Sequence, residues 1–479
     1  MIGYRAGRAM RPLFRTLLIA GVALPLVACD TDELLEVEEP TFATPPSLRT
    51  EAGIPTLFAG AIGDFQIAYS GASLNDSYMA VTAMLSDELR SADTFTSRNA
   101  NDRRDAFIPV QGNAESDRAY NLLQYARRST GEIADVIAEI MPAANADARY
   151  PRLRALQGFA IVALGEAFCG AVPLSSSVNG VIADLGTPMS TSELMTTAAT
   201  RFQDALDAAA LGATAAHTSA LNLARVGMGR ALLNNGQYAQ AAAAVAGVPT
   251  SFIYYVDHSD NSTRQYNQIF ALQDNRRYTM THDTVNDREG INGLPFVSSR
   301  DPRTPWYLHT QLGFDQATLA VRTGRYTSYS ADVVLADGIE ARLIEAEAAL
   351  NGAGGDWLAI LNDLRADVSA LMTARYGTQT LTCGGVACNA LAPLADPGTP
   401  DARVDLLFQE RAFWLYATGH RLGDLRRLIR QYGRGAESVF PTGDWHKGGT
   451  YGTDVNFPIP FNETQNPNYS ESMCNTKQA

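Results

Sequence analysis

Five cysteines, six histidines and several closely spaced acids are the residues of this 479-residue chain whose types could carry covalent or metal chemistry. The histidines, His217, His258, His282, His309, His420 and His446, lie too far apart for metal-ligand spacing, and no G-x-S-x-G, Walker loop or H-E-x-x-H occurs. Asp257 with Asp260, and Asp283 with Asp287, have a spacing that can serve calcium. They lack the full ladder of acids and the glycine of a calcium loop, so they read as solvated turns. Cys383 and Cys388 flank GGVA, a loop short enough to close as a small disulfide in an oxidising compartment. A metal site is the alternative there, but no histidine is near in sequence and the spacing is not C-x-x-C. Spacing leaves open whether Cys169 and Cys474 pair. Two distant acids can converge as a glycosidase pair in any chain of this length, and nothing in this sequence points to one.

Cys29 has a different setting. Arg5, Arg8, Arg11 and Arg15, with no acid among them, precede an apolar stretch from Leu17 to Ala28, the build of a secretory signal too short to span a bilayer. Leu26-Val27-Ala28-Cys29 resembles a bacterial lipobox, in which the cysteine is acylated and the signal is cut before it. The expected organisation is a signal peptide over 1–28, a lipid-anchored tether over 29–48 that opens on Asp30, Asp32 and Glu33, and a single domain over 49–479. Removing residues 1–28 takes four arginines and no acid, which moves the net charge from -13 to -17. Such a balance argues against nucleic acid, whose phosphates need a basic face. No second apolar run approaches the length of a spanning helix.

Helical periodicity dominates the elements that would position such residues. Apolar positions three and four apart predict helices over 115–141, 150–169, 190–211, 216–234, 335–351, 356–370 and 402–418. Ser190 and Glu193 have the spacing of a capping box, and Asp356 is the expected cap of the following helix. ARVGMGRALLNNG from Ala224 and ARLIEAEAALNGA from Ala341 align without gaps, each with a small residue where a partner helix would approach, at Gly229 and Ala346. This is the pattern of a tetratricopeptide-like helix pair. Between the two copies, about 250–332, the chain turns rich in Tyr, Asn, Asp, Ser and Pro and reads as loops with short strands, where binding residues tend to sit.

The most specific stretch is ERAFWLYATGHRLGDLRR, Glu410 to Arg427, in which charges flank a break at Gly419; Asp424 is placed to pair with Arg421 or Arg426 as a structural clamp. It resembles the E-R-x-x-E-L-x-x-E-G-x-R-x-x-D-L-R-R signature of the SusD/RagB family of outer-membrane nutrient-binding lipoproteins. FPIPFNETQNPNY, RALQGFAIVALGEAFCGAVPL, ADGIEARLIEAEAALNGAG and RDPRTPW are similar to further elements of that family, in family order. Thr418 departs from a common Glu, and Cys169 stands in an F-G turn. The resemblance implies a mainly α fold of tetratricopeptide-like helix pairs with an irregular, loop-rich ligand-binding half and short strands. It implies a lipoprotein anchored at Cys29 in the outer membrane and exposed at the cell surface. Such a protein captures an oligosaccharide or peptide for a SusC-type TonB-dependent transporter, without enzymatic activity; the residues themselves point to no metal and no cofactor.

For the ligand, the candidates are aromatic faces that stack on sugar rings and polar groups that bond hydroxyls. Phe95 and Arg98 are candidates in the segment Ser86 to Arg118, where Arg90, Arg98, Arg103, Arg104 and Arg118 would suit an anionic glycan or a peptide carboxylate unless they pair with Asp93, Asp102, Asp105 and Asp117. Trp306, Tyr307, Tyr326 and Tyr329 are the stacking candidates of the insertion. Two rival readings are a periplasmic tetratricopeptide-like scaffold for other proteins, whose pairs would be tandem, and a secreted glycan-cleaving enzyme.

Overall fold

The computed structural model describes residues 48–106, 112–141, 147–178, 181–282, 292–377 and 382–479. The signal, Cys29, the tether up to residue 47, and Asp283 with Asp287 lie outside the described residues. In chain order the helices are α1 Ile54–Ser70, α2 Tyr78–Leu85, α3 Thr96–Asp102, α4 Ala114–Ile140, α5 Arg149–Ala167, α6 Thr191–Ala209, α7 Ala215–Asn234 and α8 Tyr238–Val245. They continue as α9 Gln268–Asp274, α10 Gly338–Leu350, α11 Trp357–Ala366, α12 Val368–Tyr376, α13 Pro400–Trp414, α14 Arg421–Tyr432 and α15 Ala436–Val439. The architecture is mainly α, with a few short strands and no closed barrel among the described residues. No helix among them is long and apolar enough to cross a membrane.

The caps fix where the long helices begin. Ser190 and Glu193 form both halves of the capping box of α6, and the Asp356 carboxylate accepts from the amides of Leu358 and Ala359 to start α11. Successive helices then stack: α1 on α4, α4 on α5, α5 on α6, α6 on α7, and α7 on α8. The chain leaves this stack after α8 and returns at α10, which packs on both α7 and α8, so the two similar helix pairs are neighbours in space although distant in sequence. Gly229 on α7 explains the need for a small residue there: a Cβ would lie 2.5 Å from the Val245 side chain and 3.3 Å from that of Ile344. The strand Ile253–Val256 pairs antiparallel with Val333–Asp337 and ties together the two ends of the inserted stretch.

Within and around the insertion, Leu89–Ser91 pairs with Tyr278–Met280, and a four-stranded sheet runs in the order Val386–Ala387, Thr382–Cys383, Trp306–Leu308, Val321–Thr323. One apolar core joins scaffold and insertion, from Phe159, Phe202 and Leu223 through Ile344 and Trp414 to Tyr278 and Tyr326. Two disulfides are present. Cys383 and Cys388 close the small hairpin, and Cys169 is bonded to Cys474, which fastens the carboxyl-terminal tail beside the end of α5. There the backbone of Phe457 is hydrogen-bonded to both Cys169 and Ala167.

The signature stretch forms a buried lattice of charges. Asp424 accepts two bonds from Arg411, at 2.9 Å each, and one from Arg427 at 2.7 Å, rather than pairing with Arg421 or Arg426. Helical direction explains this correction: Arg427 lies one turn on from Asp424, while Arg426 points the other way, into α5. There its guanidinium donates to the carbonyls of Gly165, Glu166 and Phe168, which are left unpaired at the helix end. Arg427 also binds Glu347 of α10, and Glu410 accepts from Arg303 and Arg365 at 2.6 Å each. Gly419, at φ +80°, breaks α13 from α14, and a Cβ there would sit 2.7 Å from the Tyr78 ring.

Candidate ligand-binding surface

The turn after α9 and the hairpin loop after Leu308 bring exposed rings to one surface. Phe95, at the start of α3, is 47% exposed, and Phe314, in the hairpin loop, is 39% exposed. Between them lies the Arg277 guanidinium, 5.0 Å from the Phe95 centroid and 4.0 Å from that of Phe314. The loop is held from both sides. Phe314 donates its amide to the Arg276 carbonyl at 2.8 Å, Asp315 donates its amide to the Ala92 carbonyl at 2.9 Å, and Lys447 reaches the Asp315 carboxylate at 2.9 Å. Two rings exposed over a fixed base are what stacking on an apolar ligand face requires.

Under these rings lies a charged floor. Arg98 is buried, stacks on Phe95 at 5.1 Å, and donates to Asp93 at 2.6 Å, to Asp76 at 3.1 Å and to the Leu74 carbonyl at 2.7 Å. Burial would lower its pKa, but Tyr278, Asp76 and Asp93 raise it overall. Burial also lifts the Asp93 carboxyl, yet hydrogen bonds from Arg277 and Arg98 outweigh it and hold Asp93 below the ordinary range. For Asp76 burial wins, and its pKa is pushed up to about 6 against the pull of Arg98.

Alongside α9 a second set of rings continues the surface. Tyr266 and Tyr329 stack with centroids 4.3 Å apart, and Tyr329 meets Phe270 edge-on at 4.9 Å while donating its hydroxyl to Asp274 at 2.9 Å. Arg322 lies 5.1 Å over Phe270 and 3.3 Å from Asp274. His309 accepts from the Gln311 amide at Nδ1, and burial with Arg322 and Arg276 lowers its pKa. Rings and guanidinium groups thus form one strip from Tyr266 to Phe95, half-buried beside α9 and exposed at Phe314 and Phe95, with Asp274 and His309 as polar edges.

The candidates named from sequence divide. Phe95, Arg98 and Tyr329 lie in or under the strip. Trp306 and Tyr307 are half-buried in the four-stranded sheet: the Trp306 indole donates to the Val297 carbonyl at 3.1 Å, and its ring fills the space beneath Gly384 of the disulfide hairpin. Tyr326 is 1% exposed, and its hydroxyl donates to the Ala417 carbonyl at 2.9 Å; it holds the carboxyl end of α13 and offers no face to a ligand. The arginines of the early segment are also engaged: Arg103 with Asp105, Arg104 with Glu437, and Arg118 with Asn75. Reading the sequence missed Phe314, Arg277, Tyr266, Phe270 and Arg322. The one available signal is G-F-D in a hairpin loop, an aromatic where turn chemistry alone asks for none. Among the described residues no group of three His, Cys, Asp or Glu is placed to hold a metal ion.

A helical-repeat scaffold carrying an irregular lobe with an exposed aromatic strip is the class that fold and surface define. The chain has the SusD-like fold. It matches a SusD-like carbohydrate-binding protein from Bacteroides fragilis with a TM-score of 0.61 at 14% identity, over 88% of this chain and 99% of that one. A SusD/RagB family protein from Bacteroides thetaiotaomicron superposes with a TM-score of 0.59 at 12% identity, over 85% of this chain and 93% of the other. A laminarin-binding SusD-like protein gives 0.56 at 14% identity, over 88% and 100%. No family model and no curated protein matches the sequence.

Proposed function

We propose that this protein is a lipoprotein of the outer membrane, anchored through Cys29 and exposed at the cell surface, that captures an oligosaccharide and passes it to a SusC-type TonB-dependent transporter without cleaving it. One observation carries the reading: the exposed rings of Phe95 and Phe314, continued by the half-buried Tyr266 and Tyr329, on a rigid base, in a fold shared with proteins described as carbohydrate-binding. Stacking rings with a few polar edges suit the apolar face and the hydroxyls of a pyranose. The carboxylates of the strip favour holding over hydrolysis, because Asp93, Asp76 and Asp274 are each committed to an arginine.

Titration of the protein against an oligosaccharide panel, with product analysis of each mixture, tests this. Binding without turnover is expected, and Phe95→Ala combined with Phe314→Ala should weaken it about 5- to 30-fold, the equivalent of roughly 1–2 kcal/mol of lost stacking area. Turnover, or full affinity in the double variant, would overturn the assignment. Protease shaving of intact cells reads the surface exposure separately.

A further inference from the structure

Guanidinium groups beside exposed rings ordinarily attract carboxylate, sulfate or phosphate groups. In this strip they are matched from within. Arg277, between Phe95 and Phe314, gives Nη1 to both Asp93 oxygens at 2.9 and 2.8 Å. Arg98, which also stacks on Phe95, donates to that same carboxylate at 2.6 Å. Arg322 is 3.3 Å from Asp274, and Arg276 gives Nη1 to the Leu312 carbonyl at 2.8 Å. Asp93 is therefore the one carboxylate shared by the two arginines that touch Phe95, and it is 1% exposed. A ligand anion cannot displace it by solvent exchange; it would have to leave a buried carboxylate without its partners.

We propose that Asp93 is a specificity determinant that closes the strip to anionic glycans and reserves it for uncharged oligosaccharides, an inference that rests on the strip being the glycan site. The whole chain adds to the effect in the same direction. Its net charge of -13 repels a polyanion at distances where the local pairs are already silent. Asp93 acts through Arg277 and Arg98 and touches no ligand, so it is a positioning residue for the two cations.

The test titrates the protein with neutral oligosaccharides and with the same oligosaccharides carrying sulfate, at low and high ionic strength. The wild-type protein should bind a neutral member with an affinity indifferent to salt, and its sulfated form at least about tenfold more weakly. Asp93→Asn keeps the shape and removes the carboxylate from Arg277, while Arg98 stays on Asp76; it should shift the preference towards the sulfated form by about tenfold, with binding to that form weakening as salt rises. A purely structural role for Asp93 would lower affinity for both forms alike and leave no salt dependence. Wild-type protein that binds the sulfated form as tightly as the neutral one overturns the inference, and this arm stands even if the variant does not fold. A folded Asp93→Asn with an unchanged preference overturns it as well. Silence of the wild-type protein towards every saccharide would instead remove the strip as a glycan site.

Discussion

Asp424→Asn is the sharpest test of the view that the Glu410 to Arg427 signature is a structural lattice. Asp424 is 4% exposed and takes both bonds of Arg411 and one of Arg427. Burial alone would raise its pKa, but Arg411 and Arg427 hold it far below the ordinary carboxylate range. Asparagine preserves the shape and one acceptor oxygen, yet leaves Arg411 and Arg427 facing Glu347 as their only remaining carboxylate. Breaking a buried pair in this way costs about 3–5 kcal/mol, because the surviving charges stay out of water. The exposed pair between Arg434 and Asp405 is the internal control: its distance is a comparable 2.8 Å, but the Asp405 side chain is 67% exposed, so Asp405→Asn should cost no more than about 1 kcal/mol. Denaturant unfolding of both variants beside the parent gives the two numbers, and saccharide titration of each folded variant should return the parental affinity. Equal small losses would refute the account of the lattice. A loss of ligand affinity without a loss of stability would refute its separation from the site.

Three further outcomes follow from the same geometry. Trp306→Ala should lower stability by about 2–4 kcal/mol through the space left under the disulfide hairpin and the lost bond to Val297, whereas Phe95→Ala should cost under about 1 kcal/mol; unfolding curves compare them directly. Replacing Cys169 and Cys474 by serine should cost about 2–5 kcal/mol, read as the shift in denaturation midpoint against the parent under non-reducing conditions, with no shift expected once both are reduced. Stability should also pass through a maximum with pH. Burial lifts Asp76 and Asp87 to about 6 and Glu88 to about 7, so on acidification from about pH 8 to pH 5 the native state takes up protons that the unfolded chain does not, and stability rises. Below about pH 4 the order reverses, because Glu166, Asp93 and Asp315, the last lowered to about 2, stay ionised only in the native state. A melting temperature that climbs steadily from pH 5 to pH 8 would contradict this.

The scaffold was legible because its signals are local. Helical spacing and caps such as Ser190 and Asp356 act within a few residues, and the seven predicted helices reappear with their ends moved by a few positions. The predicted segment 356–370 divides at Asp367 into α11 and α12. Helix α2 went unread, since every one of its positions is buried and leaves no polar face to set a period. The strip was half legible. Phe95 and Tyr329 have composition to mark them, but Arg277 and Phe314 meet only through the pairing of the hairpin loop with the turn after α9, a contact that no spacing along the chain encodes. Tyr326 misled for the converse reason: a tyrosine in a polar loop looks like a binding face until its hydroxyl finds the Ala417 carbonyl.

The residues that carry the likeness to SusD/RagB sequences and the residues that would touch a ligand form two separate sets. Glu410, Arg411, Asp424, Arg426, Arg427, Arg303 and Glu166 are all buried, and their bonds join α5, α10, α13 and α14 to the insertion. A lattice of this kind tolerates little change, since each unpaired member costs several kcal/mol. The strip obeys no such constraint. Phe95 and Phe314 are open to solvent, and exchanging either costs folding little. Shared motifs therefore bear on the fold, while the proposed choice of ligand rests on this chain's own surface, where two arginines on the Phe95 ring are bound to one buried aspartate.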